Sequence, residues 1–384
     1  MIRNMKKLAI IGGGRMACIF AENAKDMGIE THCFSLESGV VDKSAFDYFY
    51  SVNILKREKV LEFCKQIRID GVVATTELTI AVAAFVADKM CLNGIPLTVA
   101  EVITDKYRNR DVTGDVEALL HPKYAKVNTI DEFFRLGFDY PVILKPTSKG
   151  GKRGITVINS ESEVTEAFEY AMKGAGGQLS FIVEEYITGG MECSVESLSF
   201  NGKHYIIQIT EKVTSGAPHC VELAHHQPAN IPLSIRNKIG EIVDKALTAI
   251  DIQYGPCHTE IKIKGNNIYL IEFNARPGGD HIAYPITELS TGYSYIKGAI
   301  EIALNSFKGI DKDSFLGRYA GVLFVAEQTK ALKPLFDRCE SYDWCYQKKE
   351  VSNELILITH NNGDNINHFI YCDENKPVFN LKGD

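Results

Sequence analysis

The sequence predicts an α/β fold, and three observations carry that prediction. The first hundred or so residues alternate short apolar runs with stretches of helical period, the pattern of a parallel sheet flanked by helices. Residues 141–186 change texture: two strand-like runs enclose a glycine-rich basic loop, and a helix and a further strand follow, as in a small α+β unit. Residues 255–280, GPCHTEIKIKGNNIYLIEFNARPGGD, read as an antiparallel hairpin with acids at the ends of its strands.

Taken in order, residues 6–11 are a buried strand, Gly12, Gly13 and Gly14 a tight turn, residues 16–27 a helix and residues 31–35 a second strand. Gly12, Gly14 and Ala17 satisfy the GxGxxG/A spacing, and Glu37 follows twenty residues later. Alone, that spacing would indicate an NAD-linked oxidoreductase; its competitor is a closely packed turn that binds no dinucleotide. Helical spacing over 55–66, a strand over 71–74 and a helix over 77–90 complete the alternation. The loops 12–15 and 75–77 fall at strand carboxyl ends, where open parallel sheets take their ligands, so they are candidates for holding a carboxylate or phosphate. Glu77 has a second explanation as a first-turn acid favouring the helix dipole.

Residues 99–124 form a helical transition containing Lys106. Lys145 lies on an apolar strand, where a lysine must reach water or meet an anion. Lys149, Gly150, Gly151, Lys152, Arg153 and Gly154 combine exposed backbone N–H groups with cations, a chemistry suited to covering phosphates. Glu184, Glu185, Tyr186 and Ile187 end a strand ahead of Glu192, offering backbone groups to adenine and a carboxylate to ribose. Strands follow over 192–199 and 205–210, then a segment at 221–228 with His225 and His226, and a helix over 234–250. After the hairpin come a helix over 293–305 and two strand-like runs, GVLFVAE and ELILITH.

In the hairpin, Glu272, Asn274 and Arg276 alternate and so share one side of an extended chain. A turn centred on Asn266 brings Glu260 opposite Glu272. Hard oxygen donors beside a guanidinium are what a Mg2+-nucleotide site requires. A merely solvated hairpin end would account for one of these residues but not for the set.

HTEIKI followed by IEFNARPGG resembles the metal-binding core of the ATP-grasp superfamily of carboxylate ligases. The HTE triplet, HHQP and NARPGGD are most similar to L-amino-acid ligases that make dipeptides and to carbamoyl-phosphate-synthetase-like proteins. The resemblance covers residues 6–305. It implies an ATP-grasp fold with a Rossmann-like (pre-ATP-grasp) domain at 1–100, a small α+β lid subdomain at 101–188, a central sheet with the Mg-ATP site at 189–310 and a C-terminal β-rich piece at 311–384. It implies ATP and Mg2+ (or Mn2+) as cofactors, with Lys106 and Lys145 on phosphates under a lid that includes Lys149, Gly150, Gly151 and Gly154. Adenine falls to the hinge of Glu184, Glu185 and Ile187, ribose to Glu192, metal to Glu260, Glu272 and Asn274, and the reacting acyl phosphate to Arg276. His226 matches a basic residue near the phosphates, with the choice between His225 and His226 open. The implied reaction joins a carboxylate to an amine through an acyl phosphate, releasing ADP and phosphate. The alternatives are bicarbonate phosphorylation of the carbamoyl-phosphate-synthetase or biotin-carboxylase kind, a non-catalytic nucleotide sensor, and the oxidoreductase.

Composition narrows the partners. A net charge of −7 with a pI near 5.9 argues against bulk nucleic-acid binding, which relies on clustered Lys and Arg. Ten scattered cysteines with no CxxC pair read as buried reduced thiols. The apolar run at 8–11 is too short for a signal core, and no run approaches about eighteen apolar residues, so a cytoplasmic location without a membrane partner is expected. Small-molecule carboxylate and amine substrates are the expected partners, with homodimerisation left open.

Overall fold

The apolar runs of the amino terminus become a parallel sheet. In the computed structural model, which describes residues 5–148, 150–177, 179–360 and 363–381, β1 (Lys7–Ile11), β2 (Glu30–Ser35), β3 (Tyr48–Ser51) and β4 (Gly71–Ala74) lie in the order β3-β2-β1-β4. The connecting helices are α1 (Arg15–Asp26), α2 (Arg57–Ile67) and α3 (Glu77–Met90). β1 is apolar throughout because both its faces are covered: Leu8 and Ile10 join a core with Phe20 of α1, and Ala9 and Ile11 join one with Val60 of α2 and Val86 of α3. β3, YFYS, lies at the sheet edge, half exposed and without alternation, so periodicity does not reveal it.

The glycine turn is explained by packing. Gly12 has φ +103°, and a Cβ there would stand 2.5 Å from Thr75 Oγ1; at Gly13 it would stand 2.9 Å from Val40 Cα. Both positions require glycine because the chain crosses itself there, with no dinucleotide needed.

The next segment contains α4 (Leu97–Ile103), α5 (Lys106–Val112), β5 (Leu119–Leu120), β6 (Tyr124–Val127), α6 (Ile130–Arg135), β7 (Val142–Pro146), β8 (Thr156–Ile158), α7 (Val164–Ala175) and β9 (Phe181–Glu185). Four of these strands form an antiparallel sheet, order β6-β9-β7-β8. Alternation divides its faces: Val142 and Leu144 pack with Phe168 and Ala171 of α7, whereas Ile143 and Val157 face the other way.

A larger sheet is built from β10 (Met191–Phe200), β11 (Lys203–Thr214), β12 (Glu222–Gln227), β13 (Gly255–Lys264), β14 (Asn267–Asn274), β15 (Tyr319–Val325), β16 (Cys345–Lys349) and β17 (Asn367–Asp373), with α8 (Leu233–Ile250), α9 (Thr287–Thr291), α10 (Tyr295–Ala303) and α11 (Lys333–Arg338) between them. Its order is β16-β17-β15-β12-β11-β10-β13-β14-β5. On its back, Cys193, Val195, Ile209 and Ile261 pack against Ile239, Val243 and Leu247 of α8.

The carboxyl-terminal residues are β-rich, and β15, β16 and β17 extend the central sheet. They differ from expectation in one way. ELILITH is not a strand: Ile356 and Leu357 are exposed, and NHFIYCD, as β17, takes the place beside β15. All ten cysteines are free thiols, and among the described residues no helix is long and apolar enough to cross a membrane.

Candidate active site

The front of the large sheet is polar, although it is buried. Alternation puts Glu192, Ser194 and Glu196 of β10 on the face opposite Cys193 and Val195, and register aligns them with Lys212 and Thr210 of β11 and with Lys262, Glu260 and His258 of β13. The two-residue turn at Gly265 and Asn266 pairs Lys264 with Asn267 and Ile263 with Ile268, a register that would carry Glu260 opposite Ile271. A bulge between Glu260 and Ile261 adds one residue to β14, and Glu260 therefore stands opposite Glu272, and His258 opposite Asn274. The expected pairing is present, set by the bulge together with the turn.

Each acid on this face has a basic partner. Lys106 Nζ lies 2.8 Å from Glu272, and Asn274 Nδ2 donates to Glu272 at 2.7 Å. Lys212 Nζ bridges Glu222 at 2.7 Å and Glu260 at 2.8 Å. His258 Nδ1 is 2.5 Å from Glu196, which also accepts from the Gly278 amide at 3.1 Å. Burial opposes charge on Lys106, but Glu272 and Glu77 outweigh it and raise its pKa to about 12. Burial would likewise neutralise His258, but Glu196 and then Glu260 raise its pKa to about 9. Glu260 is held well below the usual carboxylate range, with Lys212 overcoming the cost of burial.

The smaller sheet closes the opposite wall. Lys145 on β7 and Arg110 on α5 both hold Glu184 on β9, at 2.5 Å and 2.6 Å. Burial alone would raise the Glu184 carboxyl; the two cations instead lower its pKa to about 2. Beyond Glu184 the hinge runs through Tyr186, whose ring lies 5.3 Å from Lys262 Nζ, and Lys262 is 3.4 Å from Glu192.

Between the walls is a cleft of about 1080 Å³. Lys106, Lys145, Gly150, Gly151, Glu184, Glu185, Ile187, Glu192, Glu260, Glu272 and Arg276 all line it, from segments far apart in sequence. Asn274 stands behind, against Glu272. The carboxylate pair and the amide oxygen of Asn274 form a hard donor set that suits Mg2+. Gly150 approaches the Glu77 carboxylate so closely that no side chain fits between them, so the first turn of α3 does reach this site.

Two expected residues lie elsewhere. His226 has the wrong strand parity: His225 pairs with Lys212 on the cleft face, whereas His226 turns to the other face and its Nδ1 meets the Tyr371 hydroxyl at 2.9 Å. Burial lowers its pKa to about 4, leaving it neutral. Gly154, at φ +70°, packs against α7, where a Cβ would be 2.9 Å from the Ala171 carbonyl, so it serves packing and does not line the cleft. Lys149 lies outside the described residues.

Sequence reading missed Arg110, Glu196, Lys212, Glu222 and Asp280. Glu192, Ser194 and Glu196 show a period-two polar pattern that resembles a solvated face, and that pattern was the available signal. Arg110 and Lys212 gave none, since each sits in an ordinary charged helix or strand end.

A second cleft, of about 1050 Å³, opens beside the first and is lined by Arg15, Met16, His281, Tyr284, Lys349 and Asp364 among others. Gly279 and Asp280 line both clefts.

Comparison with known proteins agrees with this geometry. Residues 138–284 match the family model described as an ATP-grasp domain. The formate-dependent phosphoribosylglycinamide formyltransferase of Sulfolobus acidocaldarius is 25% identical over 326 residues, covering 79% of this chain and 77% of that protein. Alanine–anticapsin ligase of Bacillus subtilis is 26% identical over 246 residues, covering 58% of this chain and about half (51%) of that ligase. The crystal structure of L-amino acid ligase from Bacillus licheniformis superposes with a TM-score of 0.81 at 21% identity, covering 98% of this chain and 95% of that one. The architecture, with the acid-paired hairpin under a small antiparallel sheet, is that of the ATP-grasp fold, and residues 138–284 at its centre carry the match to the ATP-grasp domain.

Proposed function

We propose that the protein is an ATP-dependent ligase that joins a carboxylate to an amine through an acyl phosphate, with an amino acid as at least one substrate and ADP and phosphate as products. The observation that carries this reading is one cleft in which Glu260 and Glu272 face Lys106, Lys145 and Arg276, with Gly279 and Asp280 also lining a second cleft that offers room for a second ligand. Amino-acid and alanine ligases among its relatives favour the amino-acid substrate.

In this reading Lys106 and Lys145 hold phosphate oxygens, the hinge around Glu184, Glu185 and Ile187 takes the adenine, and Glu192 accepts from the ribose. Glu260, Glu272 and Asn274 are the residues that hold Mg2+, which when bound neutralises charge on the phosphate oxygens. Arg276 holds the carboxylate in line with the γ-phosphorus and follows the charge as it moves to the transferred phosphoryl group. Gly150 and Gly151 bring backbone amides over the phosphates and keep water from the acyl phosphate.

The test is ADP release over a panel of amino acids and small carboxylates, with hydroxylamine present in a parallel series. Substrate-dependent ADP together with a hydroxamate is the expected result. AMP and pyrophosphate would replace the proposal with adenylation, bicarbonate-dependent ADP would move it to carboxyphosphate chemistry, and no ADP above background would leave a nucleotide sensor.

A further inference from the structure

Glu222, His225 and Asp280 have no place in the nucleotide chemistry above, yet three features of the fold bring them together. The first is a bulge in β12. Residues three apart on a strand point to opposite faces, but β12 carries one extra residue between the pairs Val213–Ala224 and Thr214–Glu222, and this offset lets Glu222 and His225 share a face. The second is the backbone at Asp280. Asp280 and His281 have consecutive positive φ angles of 46° and 69°, a conformation that costs free energy in non-glycine residues and persists where the surroundings impose it. The Gly363 amide fixes the Asp280 carboxylate by donating to Oδ1 at 2.7 Å. The third is His225 itself. Its side chain is fully buried, Phe324 stands edge-on to its ring at 5.9 Å, and among the described residues neither ring nitrogen makes a hydrogen bond.

His225 Nε2 does lie 3.0 Å from Glu222 Oε2, but the contact lacks the alignment of an N–H···O bond. That separation is the chord between two ligand atoms roughly 2.1 Å from a common ion and roughly at right angles. One ligand atom from each of the three residues lies within 4.8 Å of the other two, as a shared ion requires.

We infer that Glu222, His225 and Asp280 bind a divalent transition-metal ion, at a position separate from the Glu260, Glu272 and Asn274 set. One imidazole and two carboxylates suit Mn2+, Fe2+ or Zn2+, whereas Mg2+ favours oxygen donors alone. Three protein ligands leave coordination positions for an exogenous group. Asp280 lines both clefts and Glu222 lines the first, so the site borders the nucleotide cleft and touches the second through Asp280. Lys212, between Glu222 and Glu260, separates the two sites with a positive charge.

The experiment is uptake of Mn2+ and of Zn2+ by the full chain without nucleotide, followed by equilibrium dialysis and, for Mn2+, by loss of the free-ion electron paramagnetic resonance signal. About one equivalent, beyond any that Glu260, Glu272 and Asn274 take up, is expected for the parental protein. Asp280→Asn, which keeps shape, and His225→Ala should each weaken binding at least about tenfold. Glu272→Gln, which changes only the nucleotide-side acids, should leave it within about twofold. Thermal unfolding of each variant establishes that it is folded, and Asp280→Asn carries the test if His225→Ala is not. No uptake of either metal by the parental protein overturns the inference, as does uptake that survives in Asp280→Asn and disappears in Glu272→Gln.

Discussion

At the scale of single residues, Glu272 and His226 make opposite predictions. Glu272 joins Lys106 and Asn274 at the floor of the cleft, so Glu272→Gln removes a charge and leaves a buried ammonium without its nearest acid. Turnover should fall about a hundredfold or more, because a metal site supplies several kcal/mol of charge stabilisation, while circular dichroism should remain that of the parental fold. His226→Ala should leave turnover within about twofold of parental and lower stability by about 1 kcal/mol through loss of the Tyr371 hydrogen bond, measured by denaturant unfolding. The sequence revealed the acids of the hairpin because their residue types and spacing carry their own chemistry. It could not separate His225 from His226, since strand parity depends on register with a neighbour far along the chain. Arg110 was invisible for a related reason: its partner, Glu184, is on another strand and nothing local marks the pair.

Among elements, the glycine-rich turn between β7 and β8 is the most exposed to test. Hydrogen exchange at Gly150 to Gly154 should slow when ATP and Mg2+ are added, since phosphate contacts would order backbone amides that otherwise meet few partners. Unchanged exchange at saturating nucleotide would exclude those amides from binding. Gly154→Ala should act differently. Its left-handed φ and the nearby Ala171 carbonyl predict a loss of about 1–3 kcal/mol of stability, with the ATP concentration needed for half-maximal rate unchanged in the folded protein. Long periodic elements, such as α3 and α8, were legible nearly to the residue, because their apolar faces repeat over several turns. The edge strand β3 and the exchange of ELILITH for β17 were not. Short strands are chosen by the partner that receives them, and sequence periodicity does not contain the partner.

The whole molecule should show a stability optimum in mildly acidic to neutral solution before any ligand is added. Glu184 has a folded pKa near 2 against an ordinary 4.5, so its contribution, about 3 kcal/mol, is complete above pH 4.5 and is lost as pH falls toward 2. His258 has a folded pKa near 9 against 6.5, so its contribution is complete below pH 6.5 and is lost as pH rises through 9. Thermal melts across pH 3 to 9.5 should trace that plateau, and Glu184→Gln should flatten the acid limb. The parallel amino-terminal sheet, the small antiparallel sheet and the hairpin were all readable in advance; the continuity of the carboxyl-terminal strands with the hairpin was not. That continuity bears on how the chain can be cut. β12 pairs with β15 on one side and β11 on the other, so a fragment limited to residues 138–284 would present a bare row of β12 amides and carbonyls, flanked by apolar side chains that Val322 and Phe324 normally cover. Such a fragment should self-associate into insoluble aggregates, so the stretch that matches the domain model is not expected to fold by itself.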